Sequence, residues 1–530
     1  MRMCTGTVAL VCIATASVPI NSLARQVENE QSVPLYGNLG PHSRTVSTVS
    51  DTAQMYFTEG MQFMYAFGPS SALLSFQQAQ RHDPDCAMCF WGEAWALSPY
   101  LNGRMRPESE AKAYAAIQKA KDLSAMRATA VERALIDAFT KRYAESPTEE
   151  MRRPLDSTYA SAMQQVAESF PNDLDVQTLY GESLHLLRPR RGSVDLEDPS
   201  VKAILPIYER VLARDVRHPW ACHLYIHLVE ASPEPGRAED CADYLGDGIP
   251  GASHIQHMPS HIYMNIGRYS DAVRANQNAW HVDQQAAYGG PPGIYPSHNL
   301  HMLLFAATLD GQSAVAIQAA KDLAKVARNS AFYYPVVLAT FGRWDEVLEI
   351  EDTPDDRFHE GMWRFARGMA ELRTDNRESA KDELRRLRAI VDDLPESASF
   401  RRHPQTDLLG ITGGILEGEI AAAEQRYDDA VGILRHAIEI EDDLEYDEPE
   451  PLHLPARHVL GAILLEMDRA ADAELVYREA LVDHPNNGWS LFGLEQALRA
   501  LGRGVEADDV HAEYERHWSR RDIWLRSSRF

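Results

Sequence analysis

One spacing recurs along this chain and limits what it can fold into. In "AELVYREALVDHP", Ala473 is followed four places on by Tyr477, three more by Ala480 and five more by Pro485. The same steps join Ala72, Phe76, Ala79 and Pro84, and again Ala238, Ala242, Leu245 and Pro250. Without the proline they join Ala430, Leu434 and Ala437. Twelve residues before the leading alanine stands a glycine, at Gly60, Gly418 and Gly461. The turn tripeptides "GRY" and "GRW" occupy 267–269 and 342–344. Small residues at fixed helical intervals let two antiparallel helices approach closely, and the proline ends the second because it has no N–H to donate. The chain therefore reads as a row of helix–turn–helix units, all-α, with little sign of β-structure.

Taken together, these spacings resemble the tetratricopeptide repeat, a helix–turn–helix unit of 34 residues. The resemblance runs from Asp51 to Ala507, in about nine or ten units. It implies a right-handed superhelical solenoid whose first helices line a concave groove, and a groove that commonly receives a protein or peptide partner. The chain divides accordingly into a signal peptide (1–24), an N-terminal extension (25–50), an N-terminal solenoid (51–330) and a C-terminal solenoid (331–530). It is also similar to a group of long bacterial exported repeat proteins that share "HLYIH-x-VEAS" and "HMPSHIY" segments, here at 223–232 and 257–263. That likeness implies no particular reaction, and fold analogy cannot supply one.

The N-terminus, "MRMCTGTVALVCIATASVPINSLARQ", has a basic start, a short apolar run from Thr7 to Val18, and small residues before Arg25. This is the pattern of a secretory signal cleaved after Ala24, too short to span a bilayer well. The expected location is periplasmic or secreted. A formal charge of −26 argues against nucleic acid and anionic membrane surfaces as partners. Beyond the signal stand Cys86, Cys89, Cys222 and Cys241. Cys222 and Cys241 face each other within one unit, as a disulfide or a packed thiol pair. Cys86-x-x-Cys89 reads as a disulfide, two thiols or metal ligands.

Histidine is where the pattern departs from a plain scaffold. At the average density of 20 in 530, an 84-residue window holds about three; the window 218–301 holds nine. Counted from Ala238 at place twenty of its unit, His223, His227 and Glu230 fall at places five, nine and twelve. Counted from Ala272, His254, His257 and His261 fall at two, five and nine; in the following unit His298 and His301 fall at two and five. These are groove places in tetratricopeptide units, so three consecutive first helices aim seven imidazoles and a carboxylate into one hollow. His218 and His281 lie elsewhere.

Seven cations in one hollow would repel, so most of these imidazoles must be neutral or metal-bound. Neutral imidazole and carboxylate suit zinc, copper, iron or manganese, and i, i+3 and i, i+4 spacings set two ligands on one ion. Eight candidates exceed the needs of a single ion, so the set implies either two ions or ligands with supporting groups. Leu224 follows His223 where an H-E-x-x-H peptidase needs glutamate, so that base is absent. In the preceding unit Glu182 and His185 take places nine and twelve, as candidates for acid/base chemistry or for completing the ligands. The inserted loops at 98–108 and 288–297 carry Tyr100, Asn102, Arg104, Arg106 and Tyr295, candidates for a lid or substrate rim. The run "EIEDDLEYDEPEP" (439–451) reads as solvated surface. Three functions follow: a metal-dependent enzyme (hydrolase or oxidoreductase) acting on a small molecule or peptide, a scaffold for a protein partner, or a metal store or sensor.

Overall fold

Phe76 is held between two glycines. A side-chain carbon placed on Gly60 would lie 2.6 Å from its ring, and one on Gly92 would lie 2.4 Å away. Gly461 and Gly493 grip Tyr477 in the same way, and Gly418 meets Leu434. In these units the bulky residue of the second helix is thus seated on the bare backbone of the first helices around it, where any Cβ would collide. This contact is the physical content of the repeat spacing. It sets helix Asp51–Tyr65 against Pro69–His82, and Ala456–Glu466 against Ala470–Asp483.

The computed structural model describes residues 33–189 and 192–530; the expected signal peptide lies outside them. Helix follows helix from Asp51 to His517, and the strands are two residues each, Ser399–Phe400 paired antiparallel with His403–Pro404. Caps written into the sequence start many of the helices. Ser50 accepts from the N–H of Ala53, Asp173 from Val176, and Thr129 forms a reciprocal capping box with Glu132. Among the described residues no helix is long and apolar enough to cross a membrane.

The superhelix winds until its ends meet its middle. The Trp489 indole donates to the carbonyl of Thr308 (3.0 Å) and that of Trp518 to Leu309 (2.6 Å). Asp522 accepts from the backbone of Ser313 and Ala314. At the "GRY" turn Gly267 has φ +76°, and a Cβ there would lie 2.2 Å from the carbonyl oxygen of Pro485, so only glycine fits. From the other side, the helix-free segment 35–50 ties distant units together. Gln62 donates to the carbonyls of Gly40 and His42, Asn38 accepts from Gly251, and Arg44 grips Asp173 and Asp175. Leu39 and Val46 of this segment are buried.

Cys222 and Cys241 form a disulfide between helices Pro219–Val229 and Glu239–Gly248, and Cys86 is bonded to Cys89. The second bond removes the metal-ligand reading of the C-x-x-C stretch, because its sulfurs are spent on each other.

Candidate metal centre

Three first helices supply the imidazoles. Pro219–Val229 carries His223 and His227 one turn apart. Ser253–His257 and Pro259–Asn265, interrupted at the proline, carry His254, His257 and His261. Pro296–Leu309 carries His298 and His301. Two groups of three result. His223, His227 and His254 each offer a ring nitrogen within 4.8 Å of the others, and so do His257, His261 and His298. The groups adjoin: the rings of His254 and His257 are 5.5 Å apart, and those of His227 and His261 are 5.4 Å apart. A third set, His227, Glu230 and Glu448, bridges them.

The far nitrogen of several rings is already committed. His223 donates from Nδ1 to the carbonyl of Tyr65 (2.6 Å), and His227 Nδ1 meets Glu230 Oε1 at 2.8 Å. His257 Nδ1 donates to Asn276 Oδ1 (2.7 Å), whose amide nitrogen is occupied by the carbonyl of Ala272. His261 Nδ1 contacts Glu230 Oε2 and lies 2.9 Å from Glu448 Oε2. Each such bond fixes a proton on Nδ1, and in a neutral ring such as His223 or His257 it leaves Nε2 with its lone pair, which is how metal-ligating histidines are oriented. The Nε2 atoms of His257 and His261 stand 2.8 Å apart. With both Nδ1 protons in place, two lone pairs at that distance require a cation between them, a proton or a metal ion. Two metal–nitrogen bonds of about 2.0–2.1 Å at roughly 90–110° hold their nitrogens about 2.9–3.4 Å apart. Nε2 of His223 and both ring nitrogens of His254 have no hydrogen-bond partner among the described residues.

Burial sets the charge. His223, His254, His257 and His261 are each no more than 1% exposed. Burial, with repulsion from neighbouring imidazoles, pushes His223, His254, His257 and His298 well below the usual histidine range, so these rings are neutral at pH 7. His261 goes the other way. Burial alone would lower it, but the carboxylates of Glu230 and Glu448 outweigh that and raise it to about 10.

Not every expected residue joins. His301 lies apart from both groups, its Nδ1 accepting from Arg401 (3.1 Å) and its ring resting on Tyr333. Glu182 belongs to none of the converging sets; it is buried, and burial pushes it up to about 7 against the pull of Arg142. His185 is also buried, lowered to about 3 by burial and then by His227. The hollow is not an open groove either, because the closing superhelix covers it.

That closure explains what the sequence reading missed. The acidic run at 439–451 is not all solvated surface. Asp447 is buried on Arg401, and Glu448 reaches in to His261. The periodicity carries no signal for this pairing, which spans most of two solenoid halves. A further set also forms away from the groove places. Asp175 accepts from His42 (3.3 Å), His218 (3.2 Å) and the Tyr65 hydroxyl (2.7 Å). Since His218 Nδ1 accepts from Ala221 N–H, its Nε2 carries the proton donated to Asp175. This is a hydrogen-bonded clamp on the 35–50 segment, with no lone pair from His218 to give a metal.

The two inserted loops meet. Tyr100 and Tyr295 join through their hydroxyls at 2.8 Å, and the Tyr295 ring stands edge-on to His254. Phe67 packs against Tyr100 and against His223, His227 and His254. One layer of aromatic side chains therefore separates the first imidazole group from the space outside it.

This chain is an all-α helical-repeat protein with histidine groups placed to hold metal. No family model and no curated protein sequence matches it. Solved repeat structures are distantly similar. The APC/C Cut9–Hcn1 hetero-tetramer matches at 13% identity and a TM-score of 0.31, over 84% of this chain and 76% of that one. The P58(IPK) TPR domain gives 11%, 0.23, 85% and 98%. The human IFIT1 dimer with m7Gppp-AAAA gives 12%, 0.30, 88% and 90%.

Proposed function

We propose that the protein is an exported metalloprotein holding one or two transition-metal ions in adjoining three-imidazole sites, and that it is a metal-dependent enzyme. The observation that carries the reading is the convergence of two adjoining sets of three imidazoles, each ring offering a nitrogen within 4.8 Å of the others in its set, while Nδ1 of His223, His227, His257 and His261 is already committed to protein oxygens. Three neutral nitrogen ligands with a remaining position are the donor set of a catalytic rather than a closed structural zinc site, and they suit copper or iron equally; at the second group an ion would have to displace the proton that Glu230 and Glu448 hold on His261. Glu230 touches both His227 and His261 and would couple the two positions. A bound ion would supply Lewis acidity, a hydroxide near neutral pH, or a redox couple. Two disulfides support an oxidising compartment, and hence the periplasmic or secreted location expected from the N-terminus.

The test is metal content by mass spectrometry on purified protein, with X-ray absorption to count nitrogen ligands. One or two ions per chain with three nitrogens each is the expected result. His227→Ala should weaken binding at least about tenfold with little loss of helicity. A chain that binds no transition metal at micromolar concentrations overturns the reading.

A further inference from the structure

His261 sits between two sets of donors. On one side its Nε2 lies 2.8 Å from Nε2 of His257, within the second imidazole group that also holds His298. On the other side its Nδ1 touches Glu230 Oε2 and lies 2.9 Å from Glu448 Oε2. None of these last three atoms has an aligned hydrogen bond among the described residues, although Glu230 and His261 are 6% and 1% exposed. A ring N–H points along one line, and here it serves neither oxygen well. Two carboxylates against one proton also leave net negative charge at a largely buried place. A cation seated among the three atoms meets both demands, because it has no single direction and can carry two charges.

The surrounding groups hold these atoms as ligands are held. His227 Nδ1 meets Glu230 Oε1 at 2.8 Å, which leaves Oε2 for this side. Asn265 donates to the carbonyls of Glu230 (3.1 Å) and His261 (2.8 Å) and so ties the backbones of both, as the outer partners of metal ligands do. Beside them lies a hollow of about 50 Å³ bounded by His261, Asn265, Glu448 and Glu450. That is room for a water or two. A neighbouring cavity of about 430 Å³ shares Asn265, Glu450 and His484 with it. The remaining positions of an ion here would therefore face water rather than packed side chains.

We infer that His261 is a bridging ligand: Nε2 takes one ion with His257 and His298, and Nδ1 takes a second ion with Glu230 and Glu448. Both ring protons leave to solvent as the two ions enter, so the bridge is an imidazolate, which two cations stabilise together. Bonds of about 2.0–2.1 Å on each side of the ring set the ions about 6 Å apart. The carboxylate side is the harder of the two and suits zinc, iron(II) or manganese, while the imidazole side suits copper or zinc. The bridge rests on the metal reading of the second imidazole group and adds to it a position with oxygen ligands. The first group, His223, His227 and His254, stands outside it.

Copper(II) is the probe, because an imidazolate bridge pairs the spins of two copper ions and silences both in low-temperature electron paramagnetic resonance. The metal-free full chain is loaded with copper, and its spin count is compared with copper content by mass spectrometry. The expected count lies about two spins per chain below the copper content. Glu448→Ala, at the partly exposed edge of the site, should bind about one copper fewer and bring spins and copper back to equality, with helicity checked by circular dichroism. His254→Ala should also lose about one copper but keep the deficit, since its ring belongs to the first group. Copper bound with every ion counted in the parent overturns the bridge and leaves the metal reading standing; no copper bound overturns both. A deficit that persists in Glu448→Ala also overturns the bridge, because the paired ions would then lie elsewhere.

Discussion

The middle and C-terminal units share one scaffold and use their inner face in opposite ways. At places two, five and nine the unit containing Ala272 carries His254, His257 and His261. The unit containing Ala430 carries Thr412, Ile415 and Glu419, and the one containing Ala473 carries Pro455, His458 and Ala462. Around the C-terminal face the chain fills its own hollow. Only about 60 Å³ remains among Ile415, His458, Trp489 and Phe530, while Glu419 pairs with Arg373 and Arg529. His458 occupies the same place five as His223, His257 and His301, yet its Nε2 is met by Ser490 Oγ (3.0 Å) and Asn487 (3.3 Å). It is a satisfied core histidine. What marks the middle group is the state of the second nitrogen: in His458 it is answered by protein, in the cluster it faces other imidazoles.

Exchanging a ligand for its C-terminal counterpart should give the sharpest contrast. His257→Ala should abolish stoichiometric binding at its group, lowering metal content by about one ion per chain, whereas His458→Ala should leave metal content unchanged. Equal losses from both, read by mass spectrometry, would erase the distinction. Acid should expose the cost of the satisfied histidine. Burial holds His458 down to about 3 in the folded chain, against an unfolded value near 6.5. Between those values the unfolded state binds the extra proton, so its contribution to stability is present above about pH 6.5 and is lost as pH falls towards 3. The slope is at most about 1.4 kcal/mol per pH unit. Chemical denaturation at pH 4.5 and 7 should show a smaller difference for His458→Asn than for the parent.

The shared scaffold should respond alike in both regions. Gly461→Val against Tyr477 and Gly181→Val against Tyr208 both overpack a ring held within 2.4 Å of the new carbon. Each should cost about 1–3 kcal/mol in thermal or denaturant unfolding. A large loss in only one region would mean that the two halves do not share the packing rule. The mildest change is Glu448→Gln, which keeps shape and removes charge beside His261. Metal affinity should fall by about tenfold, or about 1.4 kcal/mol, with metal still bound.

The helix pairs were legible because glycine, alanine and proline mark local contacts at fixed spacing, and Gly60 does meet Phe76. The six clustered histidines were legible for the same reason, since their places repeat. Residues that arrive by closure were not. Glu448, Arg401 and the His42–Asp175–His218 clamp meet their partners across separations with no period, and an acidic run looks the same in sequence whether it faces water or an imidazole. His301 shows the converse: its place predicts the groove, but Arg401 reaches its ring first.

Repeat arrays ordinarily grow and shrink by whole units, because each unit depends only on its neighbours. Here the carbonyls of Thr308 and Leu309 receive the indoles of Trp489 and Trp518, and Glu448 meets His261. Inserting or deleting one unit between them would shift every one of these partners out of reach. A chain built on a duplicable module has thereby fixed the number of units between these contacts, and a change there would have to remake every one of them at once.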